Sequence, residues 1–179
     1  MALNRDLRIA TGAVVCVDSK LDGPITIGPR TVVHPKACIV AEGGPIVIGE
    51  SNIFEEQCLI KHNANANTDR PRTLKIGSNN VFEVGCVISA KSVGDNNVFE
   101  SNCFVGPEIE VGNGCIIGVG ISLERPEKLP DNLVITGGNY NRTIAADKPP
   151  AQTLQLDFLT KVLPNYHHLR KPKDRPNVL

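Results

Sequence analysis

Large aliphatic or aromatic residues return at every sixth position through most of the chain. One series runs Ile9, Val15, Leu21, Ile27, Val33 and Ile39. A second runs Val93, Phe99, Val105, Val111, Ile117, Leu123, Leu129 and Ile135. Ile48, Phe54 and Ile60, then Ile76, Phe82 and Ile88, continue the step between them. Neither the helical period of 3.6 nor the alternation of long strands produces such a series. A step of six suits one short strand plus one tight turn, repeated as a solenoid. Three steps make one triangular coil of about 18 residues, and coils stacked about 4.8 Å apart pair their strands with the coils above and below.

The other positions fit the same coil. Gly28, Gly49, Gly77, Gly94, Gly106, Gly112 and Gly118 directly follow the large apolar residue. Small or medium residues stand four positions after it, among them Ala13, Thr31, Ala37, Cys58, Cys86, Cys103 and Cys115. The large side chains are expected to fill the interior, and the smaller ones the places where the walls converge. Asn52, Asn79, Asn80, Asn96, Asn97 and Asn113 suit corners, because Asn and Gly tolerate left-handed backbone angles.

The step is interrupted near residues 41–45 by three extra residues, between Ile60 and Ile76 by ten, and between Ile88 and Val93 by one missing residue. Insertions in solenoids are expelled at corners. The reading is therefore an all-β solenoid of about seven triangular coils over residues 1–145, with a projecting loop at 61–73.

The period stops after Asn141. Asp147, Lys148, Pro149 and Pro150 read as a linker. Apolar residues at 154, 158, 159, 162 and 163 then mark an amphipathic helix, with Thr153 as N-cap and Pro164 as its breaker. Linker and helix occupy 146–169. The helix is expected to lie on or beside the solenoid, because so short a helix is marginal alone. The basic, proline-containing stretch 170–179 reads as a flexible tail.

Composition narrows the possibilities. The chain has 179 residues, no Trp, two Tyr and a formal net charge of zero. No long basic block suggests nucleic acid or an anionic membrane as partner. No apolar run reaches the roughly 18 residues that span a bilayer, and the first ten residues are too polar for a secretory signal. The six cysteines lack CxxC spacing. Without an export signal they read as reduced thiols in the cytosol.

Candidate chemistry is sparse. The unit Asn-x-Phe-Glu-x-x-Cys occurs at 52–58, 80–86 and 97–103. It places Cys58, Cys86 and Cys103 in an inward column, where buried thiols act as small hydrophobes. It places Glu55, Glu83 and Glu100 in an outward column, one coil apart. Like charges in register repel, and two readings remain for them: a solvated face, or a docking stripe for a basic partner. Leu154, Phe158 and Val162 on the helix are further partner-binding candidates. His34 precedes a proline and reads as a solvated corner residue; His167 and His168 read as solvent-facing or capping residues.

The hexads resemble those of left-handed parallel β-helix proteins, which include γ-class carbonic anhydrases and many acyltransferases. Left-handed coiling, against the usual crossover rule, is implied by this resemblance alone. γ-Carbonic anhydrases hold zinc on three histidines. The matching positions here are Lys61, Val84 and Ser89, so the metal site and its catalytic role are lost; a catalytic zinc needs three protein ligands. No catalytic residue, metal or cofactor is expected.

A more specific resemblance rests on the run QTLQLDFLTKVLPNYHHL at 152–169. It is supported by GAVVCV at 12–17, IGPRTVVHPKA at 27–37, GPIVIG at 44–49, NVFEVGC at 80–86 and GCIIG at 114–118. These are similar to the smaller hexapeptide-repeat subunits of the dynactin pointed-end complex. The resemblance implies a non-catalytic structural role in dynein-based microtubule transport, in cytoplasm and cytoskeleton. It implies as partners dynactin subunit five, the p62-type subunit and the actin-related pointed-end subunit, and dynein adaptors indirectly. The competing reading is a γ-carbonic-anhydrase-like or acyl-transfer enzyme.

Overall fold

The computed structural model describes residues 6–64 and 72–173. Seven coils follow one another. The first contributes β1 (Arg8–Ile9), β2 (Val14–Val15) and β3 (Lys20–Asp22). The second contributes β4 (Ile25–Ile27), β5 (Val32–Val33) and β6 (Cys38–Ala41), and the third β7 (Ile46–Ile48), β8 (Ile53–Phe54) and β9 (Leu59–His62). Next come β10 (Leu74–Ile76), β11 (Val81–Phe82) and β12 (Val87–Ile88), then β13 (Ser92–Val93), β14 (Val98–Phe99) and β15 (Phe104–Val105). The sixth coil holds β16 (Ile109–Val111), β17 (Ile116–Ile117) and β18 (Ser122–Leu123). The last holds β19 (Glu127–Leu129) and β20 (Leu133–Thr136), followed by β21 (Asn141–Ile144) and the helix α1 (Thr153–Tyr166).

Every third strand joins the same sheet, giving three walls. Wall one runs β1-β4-β7-β10-β13-β16-β19, wall two β2-β5-β8-β11-β14-β17-β20-β21, and wall three β3-β6-β9-β12-β15-β18. All pairings between these strands are parallel except β20 with β21. The register is the hexad register: Ile9 faces Ile27, Ile27 faces Ile48, Ile48 faces Ile76 and Ile76 faces Val93. Every residue of the six-step series is buried in one continuous core. At its centre Phe54, Phe82 and Phe99 stack face to face, with ring centroids 4.6 and 4.9 Å apart.

The corners explain the glycines. A Cβ on Gly77 would stand 2.6 Å from the Gly94 carbonyl oxygen, and one on Gly49 2.7 Å from that of Gly77. Successive coils approach too closely there for any side chain. Beside this column, each next residue caps the coil before it. The Ser78 amide donates to Asp95 (2.6 Å), the Asp95 amide to Asn113 (2.8 Å) and the Asn113 amide to Asp131 (2.8 Å).

Asparagine serves two purposes, only one of which matches the corner expectation. Asn79 and Asn96 do take left-handed φ of 58° and 59°, as do Asn102 and Asn132. Asn52, Asn80 and Asn97 instead point inward and are fully buried. Their amides form a ladder along the solenoid. Asn80 Nδ2 donates to Asn52 Oδ1 (3.0 Å) and Asn97 Nδ2 to Asn80 Oδ1 (3.0 Å). The same oxygens accept the backbone N–H groups of Asn80 and Asn97, both at 2.9 Å. Asn97 Oδ1 accepts the Cys115 amide at 2.7 Å. These donors would otherwise be buried without partners, which costs about 1–3 kcal/mol each.

The two insertions sit at one corner and stack. The Glu42 and Gly43 amides donate to the His62 carbonyl at 3.0 and 2.8 Å. The His62 ring, also buried, closes the base of the longer insertion through Nε2 and the Arg72 carbonyl at 2.6 Å. Of the projecting loop expected at 61–73, Lys61 and His62 belong to β9, and 65–71 lie outside the described residues.

Helix α1 packs on the outer face of wall two. Leu156 and Leu163 are buried with Leu159 against the column Val14, Val32, Ile53, Val81 and Val98. Burying each leucine is worth about 1.5–3 kcal/mol, which offsets the weakness of so short a helix. The N-cap is Gln152, without a side-chain bond, rather than Thr153. Pro164 does not stop the helix, which continues to Tyr166. A proline this close to the end removes a single intrahelical donor, and the His167 amide still reaches the Leu163 carbonyl at 2.9 Å.

The tail expected to run free from Arg170 is pinned at its start. The Arg170 amide donates to Val15 O (2.8 Å) and the Lys173 amide to Ile9 O (3.1 Å). Residues 174–179 lie outside the described part.

Candidate docking surfaces

The corner between walls two and three carries the glutamate column. Each carboxylate is tied to the next coil. Glu55 Oε2 accepts the Val84 amide (3.2 Å), Glu83 Oε2 the Ser101 amide (2.9 Å) and hydroxyl (3.0 Å), and Glu100 Oε2 the Val119 amide (2.9 Å). The like charges are therefore interleaved with backbone donors, which offsets their repulsion. Burial pushes the Glu55 carboxyl above its ordinary range, against the lowering effect of the Val84 amide. Gln155 of α1 reaches Glu55 Oε1 at 3.5 Å, so the helix covers one end of the stripe.

His34 departs from the solvated-corner expectation. It is buried, with Nδ1 2.9 Å from Glu56 Oε1. The Glu56 carboxyl feels an upward push from burial, but the His34 hydrogen bond and its own amide hold it below the ordinary range. His34 follows Val33, whose coil neighbours are Val15 and Phe54. It thus takes the register position between Cys16 and Glu55.

The three positions that match the zinc ligands of γ-carbonic anhydrases hold no imidazole. Lys61 pairs with Glu42 at 3.3 Å. Val84 is exposed at the glutamate corner, and Ser89 is buried just after β12. Among the described residues, no group of three or more His, Cys, Asp or Glu side chains converges. Cys58, Cys86 and Cys103 do form the inward column and belong to the core. At the last coil an open cleft of about 400 Å³ is lined by Ser122, Glu124, Arg125, Tyr140 and Arg142. Arg142 there is engaged by Glu127 through both guanidinium ends.

The largest unpaired apolar groups lie on the outer face of α1. Leu154 is 85% exposed and Phe158 61%. Val162, one turn further, is half-buried. Tyr166 extends the same face and is 78% exposed; sequence reasoning missed it, although its spacing of four from 162 was the available signal. Asp157 beside them is held by Arg30 at 2.8 Å. No helix among the described residues is long and apolar enough to cross a membrane.

Solved structures share this architecture. A hexapeptide transferase family protein from Anaplasma phagocytophilum superposes with a TM-score of 0.64 at 13% identity, covering 89% of this chain and 88% of that one. The UDP-N-acetylglucosamine O-acyltransferase of Moraxella catarrhalis gives 0.59 at 18% identity, over 78% and 70%. At such identities the likeness is one of fold, and the fold is the left-handed parallel β-helix of hexapeptide-repeat proteins. No protein-family profile matches the chain. Among curated proteins, dynactin subunit 6 of Xenopus tropicalis is 53% identical over 171 residues, covering 93% of this chain and 85% of the relative. The Danio rerio protein of that name is 53% identical over 173 residues, covering 93% and 89%. The Dictyostelium discoideum one is 32% identical over 167, covering 89% and 85%. Identity of this extent, spread over solenoid and helix alike, means that the chain belongs to the dynactin subunit 6 family.

Proposed function

We propose that this chain is a non-catalytic structural subunit of dynactin, placed in its pointed-end complex, and that it supports dynein-based transport and adaptor docking. The reading names dynactin subunit five, the p62-type subunit and the actin-related pointed-end subunit as partners, in the cytoplasm and on the cytoskeleton. Family membership sets the assembly. The observation that carries the surface is the outer face of α1, where Leu154 and Phe158 stand in solvent on a helix whose other face is anchored to a rigid wall. Clustered exposed apolar groups on a fixed element mark a protein contact. The glutamate column, with its oxygens partly taken by backbone donors, is the secondary contact for a basic partner.

The residues support a scaffold over an enzyme. The three ligand-equivalent positions are Lys61, Val84 and Ser89, and His34 is engaged by Glu56. The test is co-expression of the double variant Leu154→Asp, Phe158→Asp with the other pointed-end subunits, followed by gradient sedimentation. A variant that melts like the wild type but no longer co-sediments supports the reading. Undiminished co-sedimentation removes this face as the contact.

A further inference from the structure

A solenoid ends in bare strand edges, which invite pairing with another chain. This one closes both of its ends, by different means. At the last coil, β21 folds back on β20 in antiparallel pairing. The Tyr140 hydroxyl takes the Ser122 amide of β18 at 3.2 Å, a donor whose equivalent one coil earlier, the Phe104 amide, pairs with Ile121 O. On wall one, the amides of Gly77, Gly94 and Gly112 each donate to the next coil; the next position in that series is Pro130, which has no N–H to leave unpaired.

Among the described residues, the first coil has no such capping residues of its own. Its edge is closed by residues 168–173, arriving from the far end of the sequence. Val15 O and Ile9 O stand where, one coil later, Val33 O and Ile27 O accept the amides of Cys16 and Ala10. They accept instead from Arg170 and Lys173, while the Val17 amide donates to His168 O at 2.8 Å. Leu169 bridges Cys16 in antiparallel register and packs into the apolar cluster under α1. The Arg170 guanidinium adds bonds to the carbonyls of Val17 (3.1 Å) and Ser19 (2.9 Å). A strap this polar on a coil edge replaces a strand.

We infer that the edge of β2 is a strand-acceptor site, guarded in cis by residues 168–173, and that lifting the strap lets it pair antiparallel with β2 of a second copy. The strap itself lies antiparallel to β2, so the same strand of a second copy, related by a two-fold axis, offers the same kind of backbone ladder. Such an isologous contact closes on itself. Because the opposite end is guarded separately, the product is a dimer and not a fibre. This inference is independent of the dynactin reading.

The variant Arg170→Pro removes the amide that serves Val15 and the guanidinium that serves Val17 and Ser19. Light scattering of the full-length variant is expected to show a concentration-dependent doubling of mass, against a monomeric wild type. At low concentration, hydrogen exchange at the Val17 amide is expected to speed up at least tenfold, with the Cys16 amide, bonded to Val33 O, unchanged. Added peptide HHLRKPK, matching 167–173, should return the variant to monomer. Should Arg170→Pro fail to fold, Leu169→Asp frees the strap without altering its backbone donors and is read the same way. A variant that stays monomeric with a fast-exchanging Val17 overturns the acceptor site, and an unchanged Val17 overturns the strap as its guard. Assemblies larger than a dimer overturn the closed two-fold contact.

Discussion

The asparagine ladder makes the sharpest statement about what holds the coils in register, and Asn80→Ala tests it. Asn80 is fully buried. Its Oδ1 accepts two bonds from Asn97, from the backbone N–H at 2.9 Å and from Nδ2 at 3.0 Å, and its Nδ2 donates to Asn52 Oδ1 at 3.0 Å. Truncation leaves the Asn97 N–H in the interior without its acceptor, at about 1–3 kcal/mol. Asn52 Oδ1 keeps the Asn80 backbone donor and Asn97 Nδ2 keeps Gly112 O, so neither is orphaned. The further loss is that of two side-chain bonds at about 0.5–1.5 kcal/mol each. The expected destabilisation is about 2–6 kcal/mol. Its neighbour Asn79, at φ 58°, supplies the control. Asn79→Ala loses only the left-handed preference, about 1 kcal/mol, and Asn79→Gly loses almost nothing. Guanidinium unfolding followed by far-ultraviolet circular dichroism resolves this difference. If Asn80→Ala costs no more than Asn79→Ala, the buried amides do not act as a ladder.

Other consequences follow from the packing. Phe82→Ala, in the middle of the three-ring stack, should cost about 3–5 kcal/mol in the same assay, whereas Phe82→Leu should cost well under half of that. Gly77→Ala puts a methyl 2.6 Å from Gly94 O and should destabilise by about 1–3 kcal/mol, although alanine is otherwise the milder residue in a chain. Thiol reactivity should divide by burial. The Cys16 thiol is pushed up to about 11, first by desolvation and then by Asp18 and Glu56. The Cys103 thiol is raised by its contact with Cys86 and by burial. The thiolate is the nucleophile, and a raised value keeps both groups neutral at pH 8. Iodoacetamide should therefore label Cys38, the one partly exposed thiol, in the folded protein, and all six only after denaturation. Mass spectrometry reads the outcome, and labelling of Cys86 or Cys103 at the pace of Cys38 would contradict it.

The walls were legible because an inward position must be apolar in every coil, and six-step spacing repeats that demand often enough to be seen. The helix was legible for a similar reason, through its apolar spacing. What escaped was anything decided by partners distant in sequence. Asn79 and Asn80 are adjacent and chemically identical, yet one sets a left-handed turn and the other enters the core. The parity of the strand distinguishes them, since Asn80 lies two positions before the inward Phe82. Pro164 was read as a breaker because the rule concerns helix interiors, and it stands a single turn from the end. The strap was invisible because Leu169, at the end of the helix segment, and Arg170, at the start of a basic tail, bear no mark of a strand until the first coil presents carbonyls to them. The glutamates were placed correctly as an outward column, but the backbone donors that occupy them come from the next coil and leave no trace in composition. The apolar positions 154, 158, 159, 162 and 163 do not form one buried face, however: Leu154 and Phe158 stand in solvent, and Leu156, outside that set, is buried with Leu159 and Leu163.

Sedimentation of a tagged chain expressed at native level, with immunoblotting of the gradient fractions for the dynactin filament subunit and metal analysis of the purified peak, addresses the proposed role most directly. A scaffold subunit co-sediments with the large complex, is lost from it when Leu154 and Phe158 become aspartate, and carries no stoichiometric metal. A chain that runs apart from dynactin as a small homo-oligomer with one zinc per subunit would contradict that role.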